Sequence, residues 1–148
     1  MRQLNGTMTD EDARRHVSID RTGAKKYTAT NERGGTIGIG DGSGTEFTPV
    51  ELLLAAIAGC TAIDVDVVTT RRAEPVSFQV DTDALKLGGA EGNHLENIAV
   101  TFRIEFPQGD AGDAARAILP DIVKKSHDRL CTVSRTIERG TPVSTTIA

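Results

Sequence analysis

Tryptophan is absent from this chain, and 148 residues hold only one tyrosine and four phenylalanines. So few rings leave no stacking platform for single-stranded nucleic acid. Positive charge is also scarce: 17 Lys and Arg stand against 21 Asp and Glu, a net charge of −4 with a pI near 5.4. The basic footprint of a nucleic-acid binder is therefore missing. Residues 1–15 contain no apolar stretch of the signal-peptide kind, and no apolar run approaches the length that spans a bilayer. The expectation is a cytoplasmic protein with neither membrane nor nucleic acid as partner. His16, His94 and His127, with the two cysteines, show no Cys-x2-Cys or His-x3-His spacing, so no metal site is expected. The glycine cluster Asp41-Gly42-Ser43-Gly44 is neither a dinucleotide fingerprint nor a phosphate loop, because no Gly-Lys-Ser/Thr follows it.

What is present fits one soluble domain: 15.7 kDa with 38% hydrophobic residues. We expect a flexible tail over 1–15 and a single domain over 16–148. Val17-Ser18-Ile19 and Lys26-Tyr27-Thr28-Ala29-Thr30 read as a hairpin, with Thr36-Ile37-Gly38-Ile39 as a third strand. Thr48, Pro49 and Glu51 open a helix as cap, first position and capping-box partner, and Pro75 marks its end. From Val50 to Ala58 only Glu51 is polar, so this helix should be surrounded by protein, with Gly59 admitting another backbone. Residues 76–82 and 98–106 alternate as strands joined through Gly88–Asn93. A second helix is expected over 110–130, with Ala114, Ala117, Ile118, Ile122 and Lys125 on one face and a kink at Pro120. A short turn or helix after Cys131 and a strand over 142–147 complete an α+β order, β-β-β-α-β-β-α-β.

The two cysteines stand in contrasting surroundings. Cys60 lies in the apolar helix, and Cys131 lies among Lys124, Lys125, His127, Arg129 and Arg135. Two small buried hydrophobes would explain such residues, but in the cytoplasm a cysteine pair more often serves catalysis or redox sensing than stapling. Nothing on its own helix favours a Cys60 thiolate. The helix dipole acts within about the first turn, burial raises a thiol pKa, and Asp64, four residues on, opposes a nearby anion. A cation must come from another segment. Cys131 has cations in its own segment and a possible helix start, with His127 placed to assist proton transfer.

Thr48-Pro49-Val50-Glu51-Leu52 leading to Ala58-Gly59-Cys60, together with Cys131-Thr132-Val133-Ser134-Arg135, resembles the OsmC/Ohr family. The run Ala58–Val65 is most similar to its YhfA-like branch. The resemblance implies antiparallel sheets around two helices, with the long central helix buried in an intertwined homodimer. It implies a thiol-dependent peroxidase of oxidative-stress defence. A small organic hydroperoxide would be the substrate, an external dithiol the reductant, and no cofactor or metal would be needed. Cys60 would be peroxidatic and Cys131 resolving. In the Ohr branch an arginine from the N-terminal strands sits over the thiolate, held by a glutamate directly after the helix-starting proline. Here that position is Val50, and Glu51 follows about 100° round the helix. Arg21 is the first candidate for the arginine and Arg33 the second. Two rival readings are a non-enzymatic dimer that binds a small apolar ligand, and a redox-sensing disulfide switch.

Overall fold

The computed structural model describes residues 9–148, so the expected N-terminal tail lies partly outside the described residues. Within it, Asp10–Ala13 forms one helical turn (α1), closed by a reciprocal capping box between Thr9 and Asp12. The chain divides into two compact units, one ending at Pro49 and one beginning at Val50.

The first unit carries a three-stranded antiparallel meander: β1 (Val17–Gly23), β2 (Lys26–Asn31) and β3 (Thr36–Ile39). The β1–β2 turn passes through Lys25 at φ 57°. In the β2–β3 turn the Asn31 side-chain oxygen accepts the N–H groups of Arg33 and Gly35 at 3.0 and 2.9 Å, a side chain imitating a backbone turn. Carboxylates occupy the glycine-rich segment. Asp41 accepts the Ser43 N–H and hydroxyl at 3.1 and 2.6 Å, and Glu46 pairs with Lys26 at 3.1 Å.

The second unit contains helix α2 (Pro49–Thr69), which starts at the boundary, and the antiparallel pair β4 (Ser77–Leu87) and β5 (His94–Glu105). Helix α3 (Asp110–Lys125), a π-helical turn (Ser126–Leu130) and helix α4 (Thr132–Glu138) follow. The β4–β5 hairpin is longer than expected. It extends through Leu85, Lys86 and Leu87, which face Glu96, Leu95 and His94. Nearer its base, Ile98, Val100, Phe102 and Ile104 are half-buried while Ala99, Thr101, Arg103 and Glu105 are exposed, the period of two of a one-faced strand.

Three expectations are corrected here. The long helix is not surrounded by its own chain. Only Ile57, Thr61, Val65 and Thr69, one stripe at four-residue spacing, are buried, while Ile63 and Val67 remain 64% and 48% exposed. Among the described residues, nothing beyond its immediate neighbours and its own helical backbone comes within 4 Å of where a Gly59 side chain would begin. At 21 residues and a mean hydropathy of 1.9 this helix also reaches bilayer-spanning length and composition, although no single apolar run does. Asp64 and Asp66 interrupt it, and its buried stripe packs within protein. The second helix ends at Lys125, and its inner face is Gly112, Ala115 and Ile122 with Leu119 half-buried, whereas Ala114, Ala117 and Lys125 are exposed. Of the expected face only Ile122 is fully buried, because the inner stripe continues through Ser126 rather than Lys125. Residues 142–147 form no strand; Val143 and Ile147 are 91% and 96% exposed, no strand among the described residues pairs with them, and Pro142 lacks the N–H a ladder needs.

Ala73, Phe106 and Ala115 form a small core, with Ile104 and Leu119 packed on it. The entry to α3 is anchored there by Arg116, which donates to the Phe106 carbonyl at 3.0 Å. Gly112 makes this approach possible, since a Cβ there would lie 1.7 Å from the Pro107 carbonyl oxygen. Backbone cannot yield as a side chain can. Gly112→Ala should therefore destabilise the protein by roughly 3 kcal/mol, the upper range for overpacking, read as a lowered urea midpoint. An unchanged midpoint would mean that the α3 entry relaxes freely.

Candidate active site

Cys60 lies in the fourth turn of α2 and is half-buried; Cys131 is fully buried at the N-cap of α4, and both are free thiols. Cys131 takes an extended conformation (φ −69°, ψ 100°) that ends one helix and begins the next. Its sulfur accepts the Ser134 N–H at 3.4 Å and, as a thiol, donates to the Ser134 hydroxyl at 3.3 Å. Sulfur here does the work that a Ser or Asp oxygen usually does at an N-cap.

The two thiols are not bonded to each other, yet each shifts the other's titration. Burial pushes the Cys60 thiol up. Backbone N–H groups of Val133 and Thr132 pull it back in part, and donation toward Cys131 raises it again. Burial also acts upward on Cys131, but hydrogen bonds from the Ser134 hydroxyl and N–H, from the Cys60 thiol and from the Val133 N–H outweigh it. Its pKa falls below the ordinary value. Cys131 is thus the more acidic of the pair. Hydrogen bonds achieve this rather than the expected cluster of cations: Lys124 pairs with Asp128, and His127 joins Asp128 at 3.0 Å and Glu138 at 2.9 Å. Those acceptors raise the His127 pKa above its ordinary value.

A buried hydroxyl chain joins the two cysteine-bearing segments. Ser126 Oγ donates to Asp64 at 2.7 Å and lies 2.8 Å from the Thr61 hydroxyl. Serine has one hydroxyl proton, so Thr61 is the donor in the second bond. Asp64 is thereby engaged by Ser126, which tempers the opposition to a Cys60 thiolate expected from the sequence. The Ser126 carbonyl accepts the Cys131 N–H at 2.8 Å. Beside this chain opens a cavity of about 300 Å³ walled by Ile57, Ile98, Val100, Phe102, Val123 and Ile137, with Thr61, Ser134, His127 and Glu138 as its polar groups. Neither cysteine lines this cavity; Thr61, the residue after Cys60, and Ser134, which bonds Cys131, do. Among the described residues no group of three or more His, Cys, Asp or Glu is arranged to hold a metal.

The family model for OsmC-like proteins matches residues 40–146. This chain belongs to the OsmC-like family. Among relatives, uncharacterized proteins of Mycobacterium tuberculosis and Mycobacterium bovis are 28% identical over 134 residues, covering 85% of this chain and 90% of theirs. Among solved structures, an OsmC-like protein of unknown function from Vibrio cholerae superposes with a TM-score of 0.67 at 11% identity, covering 84% of this chain and 94% of that one. The organic hydroperoxide resistance protein OhrB of Bacillus subtilis gives 0.51 at 17% identity, covering 85% and 92%. At these identities the structural likeness establishes the α+β OsmC fold.

Within this OsmC-like chain the other candidates are placed as follows. Glu51 is exposed in the first turn of α2, nine residues and about 13 Å of helix rise before Cys60, so it can act on the sulfur only through an intervening cation. Val50 takes the position directly after Pro49. Arg21 is exposed on β1 opposite Tyr27, beside a register shift, and Arg33 lies in the β2–β3 turn. Ser126, Thr61 and the thiol-directed role of Ser134 were missed from the sequence. Their one visible signal was a set of small hydroxyl residues beside each cysteine.

With Cys60→Ser isolating the second thiol, ultraviolet thiolate absorbance should give Cys131 a midpoint below the usual thiol value of about 8.5. Adding Ser134→Ala should raise it, because the hydroxyl that supports the thiolate is lost. An unmoved midpoint would mean that Ser134 does not stabilise the anion.

Proposed function

We propose that this OsmC-like protein is a thiol-dependent peroxidase that reduces small organic hydroperoxides through Cys60 and Cys131. The observation that carries the reading is geometric: a buried hydroxyl chain through Ser126 joins the helix of Cys60 to the turn of Cys131, and the Ser134 N–H holds the Cys131 sulfur at the start of α4. The family membership and the fold shared with an organic hydroperoxide resistance protein support it. The half-exposed Cys60 meets the peroxide, whose alkyl group lies in the apolar cavity. Its sulfur attacks the O–O bond, the thiol proton passes to the departing alkoxide, and alcohol leaves Cys60 as a sulfenic acid. The Cys131 thiolate then attacks that sulfur and expels hydroxide, forming a disulfide as the two sulfurs approach. An external dithiol restores both thiols in the reducing cytoplasm, where cysteine pairs serve such roles.

Burial raises the Cys60 pKa, and with Val50 in place of the clamp carboxylate the cation that would lower it has to come from outside the helix. We assign that supply to a homodimer. A second copy would cover the exposed apolar side of α2 and bring an arginine, with Arg21 first in line, toward Cys60. Sedimentation at micromolar concentration should give about twice 15.7 kDa. A folded monomer would remove the proposed source of the cation.

The rival is a non-enzymatic dimer that binds an apolar ligand, and the cavity together with the less acidic Cys60 favours it. Substitution separates the two. Cys60→Ser should abolish hydroperoxide reduction with a dithiol donor, while Cys131→Ser should complete one stoichiometric turnover and accumulate Cys60 sulfenic acid. Cumene hydroperoxide should be consumed faster than hydrogen peroxide. A wild-type protein inert to both, with Cys60 reduced and accessible, would leave the ligand-binding reading standing.

A further inference from the structure

Ser126 is fully buried; its N–H continues the ladder of α3 to Ile122 and Val123, while its hydroxyl and its carbonyl each reach toward a cysteine-bearing segment. Its hydroxyl joins Thr61, the residue after Cys60, and Asp64, one turn beyond Cys60 on the same face of α2. Its carbonyl receives the N–H of Cys131 across the π-helical turn. Packing alone does not call for this arrangement, since an apolar side chain would bury no hydroxyl of its own. The π turn is itself unusual, because such turns are rare interruptions of α-helices that concentrate at functional sites. Here it delivers Cys131 to the N-cap of α4 while Ser126 stays bonded to the Cys60 helix.

We propose that Ser126 is the positioning residue of the thiol pair, fixing through its side chain the helix that bears Cys60 and through its carbonyl the backbone that bears Cys131, so that one residue sets the separation of the two sulfurs. The inference rests on reading Cys60 and Cys131 as a redox pair, but not on peroxide being the oxidant. The same geometry would govern any disulfide between them.

The test is therefore a thiol–disulfide equilibrium. Full-length protein is equilibrated with mixtures of reduced and oxidised dithiothreitol. Two protein thiols give up two electrons and two protons to the cyclic disulfide, and one protein disulfide and one reduced dithiothreitol form. Trapping by alkylation and weighing the protein gives the equilibrium constant. Ser126→Ala should shift it at least tenfold toward the dithiol, about 30 mV for a two-electron couple. Phe106→Leu in the separate small core should lower thermal stability without moving the constant. Should Ser126→Ala fail to fold, Thr61→Val removes one arm of the chain and should shift the constant about threefold.

A folded Ser126→Ala within twofold of wild type overturns the proposal. So does an unshifted Thr61→Val where Ser126→Ala does not fold, or a Phe106→Leu shift as large as that of Ser126→Ala. A wild-type protein that forms no disulfide in any mixture overturns the proposal and the redox-pair reading together. Failure of peroxide turnover with the dithiothreitol pattern intact overturns only the peroxidase and upholds Ser126.

Discussion

The buried bonds at Ser126 are what the rest of the site depends on. A hydroxyl removed from water is tolerated only when its hydrogen bonds are remade inside, and losing one partner of such a group costs about 1–3 kcal/mol. At Ser126 that penalty enforces geometry: the Cys60 helix and the Cys131 turn cannot separate without stranding Thr61, Asp64 or a backbone N–H. The apolar contacts nearby are less particular. Ile57 and Val65 tolerate small displacements; a chain of two bonds at 2.8 and 2.7 Å does not.

The two thiols divide properties that a single active cysteine usually combines. Accessibility belongs to Cys60 and acidity to Cys131. The division follows from backbone placement. A residue three turns into a helix has its neighbouring N–H groups spent on carbonyls one turn back, whereas an N-cap residue faces N–H groups that still want an acceptor. Cys131 receives such donors from its own helix. Cys60 borrows those of Thr132 and Val133 only partially. Burial acts upward on both sulfurs, and the supply of local donors decides the net result.

Much of this was legible in the chain. Alternation and turn residues marked β1, β2 and β3 closely, and Thr48-Pro49 marked the start of α2 because capping chemistry is local. Cys60 and Cys131 stood out through their flanking motifs. The inner face of α3 was misread, because Ala114 and Ala117 are as apolar as Ala115 and composition alone could not fix the phase; the decisive residues were Gly112, which has no side chain, and Ser126, which looks like a surface residue after Lys124-Lys125. The strand expected over 142–147 had the right residues, but a strand also requires an edge to join, which is a property of the assembled fold. Ser126 was hidden for the same reason: its partners lie 62 and 65 residues away, and no local pattern reports them.

The π-helical turn bears on how this sequence can drift. Its hydrogen bond from Cys131 to Ser126 counts residues rather than reading them, since four exposed side chains, His127 to Leu130, fill the interval. Replacing them leaves the count intact. Deleting one would restore ordinary α-helical spacing and turn the Cys131 side chain by about 100°, away from Ser134 and the neighbouring helix. The second thiol is therefore buffered against substitution and exposed to changes in length, so a single-codon deletion in this interval would do what few point mutations could.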